Sequence, residues 1–130
     1  MSAEGKTTSI AIAVVRHDDR FLIGQRSAAG PLPNLWEFPG GKVDPQEQPA
    51  AAAERECREE TGLEVRAVSQ LADIEHTYAH GRLRLYFFSC ELASRDATPV
   101  EPFRWVPRAE LANYEFPPAN QAILAHLIAQ

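Results

Sequence analysis

The chain of 130 residues has little cysteine: only Cys57 and Cys90, far apart and without a Cys-x-x-Cys pair. That excludes a disulfide framework or a zinc knuckle and points to a reduced, cytoplasmic protein. No apolar run approaches the roughly 20 residues that a membrane-spanning helix needs, so no membrane partner is expected. The opening MSAEGKTTSIAIAVVRHDDR lacks the basic stretch, apolar core and small-residue cleavage site of a secretion signal, and its Ile10 to Val15 run reads better as a strand. A basic surplus is also missing. Thirteen Lys and Arg stand against eighteen Asp and Glu, a net charge of −5. This argues against stable nucleic-acid binding, which usually leaves a basic footprint. A small anionic substrate is compatible with such a chain where a bound cation intervenes. There is no internal repeat, low-complexity tract or long linker, so residues 1–130 are expected to form one domain.

What is present is the composition of a globular protein, 45% hydrophobic and 24% charged. Thr8 to Val15 is apolar and β-branched, the pattern of a buried strand. Phe21 to Gln25 reads as the returning strand of a hairpin after the polar turn at His17–Arg20. SAAGPLPN, Ser27 to Asn34, is a loop, and Leu35 to Phe38 is a short apolar segment ended by Pro39-Gly40-Gly41. Gly41 to Gln48 is irregular. Pro49 suits a first helical turn and Gly62 a C-terminal cap, which predicts a helix from Pro49 to Thr61. Strands are expected at Glu64–Asp73 and Leu83–Leu92, the second central and buried. Arg95 to Pro102 is a turn-rich connection and Phe103 to Val106 a short strand. The chain should close with an amphipathic helix that buries Ile123, Leu124, Leu127 and Ile128. Strands mixed with two helices predict an α/β fold, a mixed sheet flanked by helices.

Four glutamates and two arginines fall within ERECREETGL, Glu54 to Leu63. Glu56, Glu59 and Glu60 have the spacing i, i+3, i+4, which crowds three like charges on one face of a helix. They also lie near the helix C-terminus, where the macrodipole disfavours anions. Ion pairs at spacing four, Arg55 with Glu59 and Glu54 with Arg58, relieve part of the crowding, as on an ordinary solvated helix face. The alternative is that the three carboxylates converge on a hard divalent cation such as Mg²⁺, which takes oxygen ligands and substrate phosphates. That reading predicts metal-dependent chemistry on a phosphorylated small molecule.

Gly41, five residues, Glu47, seven residues, then Arg55-Glu56-Cys57-Arg58-Glu59-Glu60-Thr61-Gly62-Leu63 resembles the Nudix box, Gly-x5-Glu-x7-Arg-Glu-apolar-x-Glu-Glu-x-Gly-apolar. Every fixed position matches. Cys57 stands where an aliphatic residue is usual, and a buried cysteine behaves as a small hydrophobe. LWEFPGGK, Leu35 to Lys42, and FPPAN, Phe116 to Asn120, are similar to segments of the bacterial MutT-like branch of that family. The resemblance implies an α/β/α sandwich with its mixed sheet between helices. It also implies a Mg²⁺-dependent hydrolase, with Mn²⁺ a possible substitute, that splits a nucleoside triphosphate into a monophosphate and pyrophosphate. The implied substrate is 8-oxo-dGTP, cleared from the nucleotide pool before DNA replication can incorporate it. Another nucleoside diphosphate derivative, such as (d)CTP, ADP-ribose or a dinucleoside polyphosphate, is the alternative. A non-catalytic module of the same fold is a third reading, disfavoured because all the box glutamates are present.

By the same resemblance Glu56, Glu59, Glu60 and the carbonyl of Gly41 are metal ligands. Glu101, ahead of Trp105, is the candidate for a further acidic ligand on a later loop. One of Glu56, Glu59, Glu60 or Glu101 acts as general base. Arg55 orients a glutamate, and Glu47 supports the loop–helix geometry. Lys42 reads equally as a phosphate contact or a solvated loop lysine, and Arg26 equally as a substrate contact or a surface charge. Phe38 lines the base pocket or belongs to the core. Asn120, whose amide offers a donor and an acceptor, matches the O6 and N7–H edge of an 8-oxopurine. His76 and His80 in HTYAH have a metal-ligand spacing on a helix, but this segment reads as a strand end, so they are expected to be a structural or surface pair.

Overall fold

The computed structural model describes residues 7–79 and 81–130. Its elements are β1 (Thr7–His17), β2 (Arg20–Gln25), β3 (Trp36–Glu37), β4 (Gly40–Lys42), α1 (Pro49–Thr61), β5 (Val65–Tyr78), β6 (Gly81–Leu92), β7 (Phe103–Pro107) and α2 (Gln121–Ile128). Short 3₁₀ helices at Arg108–Asn113 and Pro118–Asn120 lead into α2. The strands form one mixed sheet in the order β3-β2-β1-β6-β5, with β4 joined to β1 and β7 to β2. β1 runs parallel to β6 over ten register pairs and antiparallel to its other partners.

β1 explains the two-sided core. Successive side chains on a strand point to opposite faces. Ala11, Ala13 and Val15 pack with Ala52, Ala53 and Cys57 of α1 on one face. Val14 packs with Phe87 and with Ile123, Leu124 and Leu127 of α2 on the other. Small residues on the α1 side let the alanine face of that helix lie close to the sheet. Cys57 is fully buried there, and burial pushes its thiol up to about 11. It packs as the hydrophobe expected at that position.

α1 has the predicted limits. Gly62 caps it in the left-handed region at φ 80°, where a side chain is disfavoured, and donates its N–H to Arg58 O. Four sequence expectations change. β5 continues to Tyr78, held to β6 through two register shifts at Ala67/Ser69 and Gln70/Ala72. Gly40–Lys42 is a strand rather than part of an irregular loop, because Ile10 to Ile12 offers it a free edge. Glu54 does not pair with Arg58: its carboxylate accepts from the Ala67 amide at 2.8 Å, and Arg58 turns to Glu64 at 3.7 Å. Ile128 is 41% exposed rather than buried, since α2 ends in that turn.

β1 and β2 pair only at the hairpin end, Arg16 with Phe21 and His17 with Arg20. Beyond that the two strands part. β3 follows β2 and β4 follows β1, so the chain from Trp36 to Lys42 crosses the gap between them. The Ala13 amide donates to Pro39 O at 2.8 Å and secures the crossing. This crossing positions the site.

Candidate active site

The box residues Gly41 and Glu56 are in close contact. A Cβ at Gly41 would stand 2.4–2.6 Å from the Glu56 carboxyl atoms, so any side chain there would push that carboxylate out of its place beside β4. Glu60, one turn further along α1, accepts from the Gly40 amide at 3.1 Å. Burial, joined by the charges of Glu37, Glu56 and Glu59, pushes its carboxyl up to about 7 against the Gly40 hydrogen bond. Arg55 holds the rest of the cluster. Its Nε and Nη2 donate to the two carboxylate oxygens of Glu47 at 2.7 and 3.0 Å, a two-pronged pair. Nη1 donates to Glu56 at 3.1 Å and Glu59 at 3.0 Å, and Nη2 also reaches Lys42 O at 3.0 Å. Arg55 and the Asp44 amide together hold the Glu47 carboxyl below the usual range. Arg55 therefore ties the loop before α1 to the face of the helix that carries the glutamates.

Among the described residues no three acidic, histidine or cysteine side chains converge as a metal cluster. Glu56 and Glu59 both turn to Arg55 Nη1, and Glu60 turns to the Gly40 amide. The donor set nevertheless fits a hard divalent cation. It is all oxygen, three of its carboxylates crowd one helix face, and one of them is driven toward protonation by burial first and by its acidic neighbours second. A cation bound among them would offset that repulsion.

A cavity of about 430 Å³ opens beside Gly40 and Gly41. Ile10 and Ile12 of β1 and Leu83 and Leu85 of β6 form an apolar floor. Phe38, buried and packed on Phe116 at 5.0 Å between ring centroids, belongs to the core and also forms a wall of the cavity. Pro117, Ala119 and Asn120 close the far end. Asn120 stands at the start of α2 but makes no side-chain cap. Its Nδ2 donates only a long bond to Pro117 O, at 3.5 Å.

Arg26 also lines the cavity and pairs with Glu37 at 2.7 Å rather than lying free on the surface. Lys42 is exposed and contributes its carbonyl, not its ammonium, to the network. Glu101 is exposed in the loop behind the C-terminal end of α1, next to Val100, whose amide donates to Thr61 O. It does not line the cavity. His76 lies within β5 opposite Leu83, and His80 is outside the described residues. Glu37 is the site residue that sequence reasoning missed. It sits within the quoted LWEFPGGK, between two aromatics in a segment otherwise read as apolar.

Residues 10–126 match the NUDIX domain family. The chain belongs to that family. Curated Nudix relatives include an 8-oxo-dGTP diphosphatase of Escherichia coli K12, 30% identical over 94% of this chain and 97% of that protein. A CTP pyrophosphohydrolase of the same organism is 28% identical over 95% and 93%. Among solved Nudix structures, the MutT protein of methicillin-resistant Staphylococcus aureus 252 superposes with a TM-score of 0.74 at 30% identity. That match covers 95% of this chain and 97% of the other. The Nudix fold thus accounts for the mixed sheet with a helix on either face. No helix among the described residues is long and apolar enough to cross a membrane.

Proposed function

We propose that this Nudix protein hydrolyses a nucleoside triphosphate to the monophosphate and pyrophosphate, with 8-oxo-dGTP as its substrate. The observation that carries the reading is the continuity of one cavity. It runs from an uncapped Asn120 amide, over an apolar floor, to the backbone of Gly40 and Gly41 against the box glutamates. A flat base fits the apolar end and a triphosphate needs the charged end. The Escherichia coli relative named for 8-oxo-dGTP, matched across nearly its whole length, supports the same choice.

Glu56, Glu59, Glu60 and the Gly41 carbonyl would hold the divalent cation, Mg²⁺ or Mn²⁺ in its place, with Glu101 a further ligand if its loop turns inward. When bound, the ion neutralises phosphate charge, polarises phosphoryl oxygens and activates water. The rest is done by the chain. Asn120 pairs with the O6 and N7–H edge of the oxidised base. Phe38 and the apolar floor exclude water from around it. Arg55, anchored on Glu47, holds Glu56 and Glu59 in place. One of Glu56, Glu59, Glu60 or Glu101 takes a proton from the attacking water. The water oxygen bonds to the β-phosphorus, the bridge to the α-phosphate breaks, and the bridging oxygen leaves with the monophosphate. Such an enzyme would act in the cytoplasm on a small nucleotide and protect DNA by removing a mutagenic precursor.

Pyrophosphate release from a panel of oxidised and normal nucleotides with Mg²⁺ tests the proposal. The expected result is that 8-oxo-dGTP has the highest kcat/KM. Equal or better turnover of CTP would overturn the substrate and favour the second reading, which the CTP-named relative supports.

A further inference from the structure

Asn120 ends a short turn that is poor in backbone donors. Pro117 and Pro118 carry no N–H, so the carbonyls around them must find partners elsewhere. Glu115 O accepts from the Trp36 amide of β3 at 2.7 Å, and Pro117 O accepts from the Asn120 backbone amide at 3.0 Å. Phe116 O lies between two buried residues, Phe116 and Pro117. Among the described residues its donor is a side chain, Gln121 Nε2 at 3.2 Å. The Phe116 ring packs on Phe38, the cavity wall, at 5.0 Å between centroids. The Gln121 bond therefore ties the first residue of α2 back to the residue that seats the turn against the cavity.

Two side-chain amides on consecutive residues thus stand at one turn, and they are used differently. Gln121 gives an N–H to Phe116 O. Asn120 Nδ2 is 3.5 Å from Pro117 O, a carbonyl already served by a backbone N–H, and the Asn120 side chain stays on the cavity lining. A bond of that length is weak. A buried carbonyl left without a donor is costly, and asparagine side chains readily turn to nearby backbone groups. Were Phe116 O vacant, the Asn120 amide would be a donor close at hand on the same turn. We propose that Gln121 takes the Phe116 carbonyl and thereby keeps the Asn120 amide available to the base. Gln121 is then a positioning residue that sets base selectivity through Asn120 without touching substrate. This rests on the nucleotide-hydrolase reading above and deepens its account of base choice.

The test measures kcat/KM for 8-oxo-dGTP and dGTP with wild type, Gln121→Met, Gln121→Lys, Asn120→Ala and the double variant Gln121→Met with Asn120→Ala. Methionine has the length of glutamine but no N–H, and lysine keeps a donor. Gln121→Met should lower the preference for the oxidised base by about three- to tenfold, the scale of one lost hydrogen bond, and leave dGTP turnover within about twofold. Gln121→Lys should recover most of the preference. In the Asn120→Ala background Gln121→Met should lower it no further, because the residue it acts through is gone. An unchanged preference in Gln121→Met, equal losses on both nucleotides, no recovery with lysine, or a full further loss in the double variant would each overturn the assignment. A second readout needs no substrate. Solvent exchange of the Asn120 side-chain amide protons, followed by NMR, should be slower in Gln121→Met than in wild type, since the amide has turned onto the carbonyl. Equal exchange would also overturn the assignment. If wild type turns over no triphosphate, the hydrolase reading fails by itself, and the exchange comparison alone decides the role of Gln121.

Discussion

The two ends of the cavity are built by opposite means. The charged end, which the cavity meets at Gly40 and Gly41, is backed by one continuous stretch, Gly40 to Glu60, whose glutamates and Arg55 stand behind the cavity lining and in which Arg55 ties loop to helix. The apolar end draws Ile10 and Ile12 from β1, Leu83 and Leu85 from β6, Phe38 from the strand crossing and Asn120 from the start of α2. A local motif secures the first by spacing alone. The second exists only because β1 and β6 are parallel neighbours and α2 packs back across the sheet. The difference implies that chemistry and substrate choice are separable: damage at one end should stop turnover, and damage at the other should redirect it.

Removing box carboxylates should have the largest effect. Glu56→Gln and Glu59→Gln are expected to lower kcat for every nucleotide by about a hundredfold or more, the scale for groups acting on the reacting atoms. A pyrophosphate assay with saturating substrate reads this, and turnover unchanged on all substrates would defeat the catalytic assignment. Arg55→Lys keeps the charge but cannot grip Glu47 with two prongs while also reaching Glu56 and Glu59. The expected loss is about ten- to a hundredfold in kcat or in metal affinity, the range for groups that orient metal ligands. Full activity in a metal titration would show that the network is only structural.

At the other end, Asn120→Ala should leave turnover of unmodified dGTP within about twofold and reduce the preference for the oxidised base by about tenfold. Parallel kcat/KM measurements on the two substrates check this, and equal losses on both would place Asn120 outside base recognition. The smallest effect is on stability. The Glu60 carboxyl is raised from 4.5 to about 7 in the fold. Between those values the folded chain keeps a proton that the unfolded chain has released. This contribution is therefore full below the unfolded value and is lost as pH rises through about 7. Without divalent cation, Glu60→Gln should gain on wild type in urea midpoint between about pH 5 and about pH 8, and added Mg²⁺ should shrink the gap. A pH-independent gap would mean that Glu60 is not strained by burial.

Residues whose partners lie within a few helical turns were legible. The helix limits, the Gly62 cap and the Arg55–Glu59 pair follow from spacing along one element. Where a tertiary partner competes, spacing misled. Glu54 prefers the unpaired Ala67 amide of β5 to Arg58, because a charged acceptor meeting a backbone donor at a helix–sheet contact is better placed than an exposed ion pair. Glu37 carried no periodic signal, since one acidic residue between aromatics looks like a solvated edge until the strand crossing turns it toward the cavity.

The sequence by itself determined the family motif, the α/β class and the glutamates that make the charged end, because a helix converts spacing into a face without outside help. The tertiary structure decided which carboxylates are buried, that Arg26 neutralises Glu37, that Glu101 stands away from the cavity, and that an amide near the C-terminus shares a cavity with glycines at residues 40 and 41. Those outcomes depend on strand order and on how β1 and β2 part beyond their hairpin. Contacts of that kind join residues dozens of positions apart, and no local period encodes them.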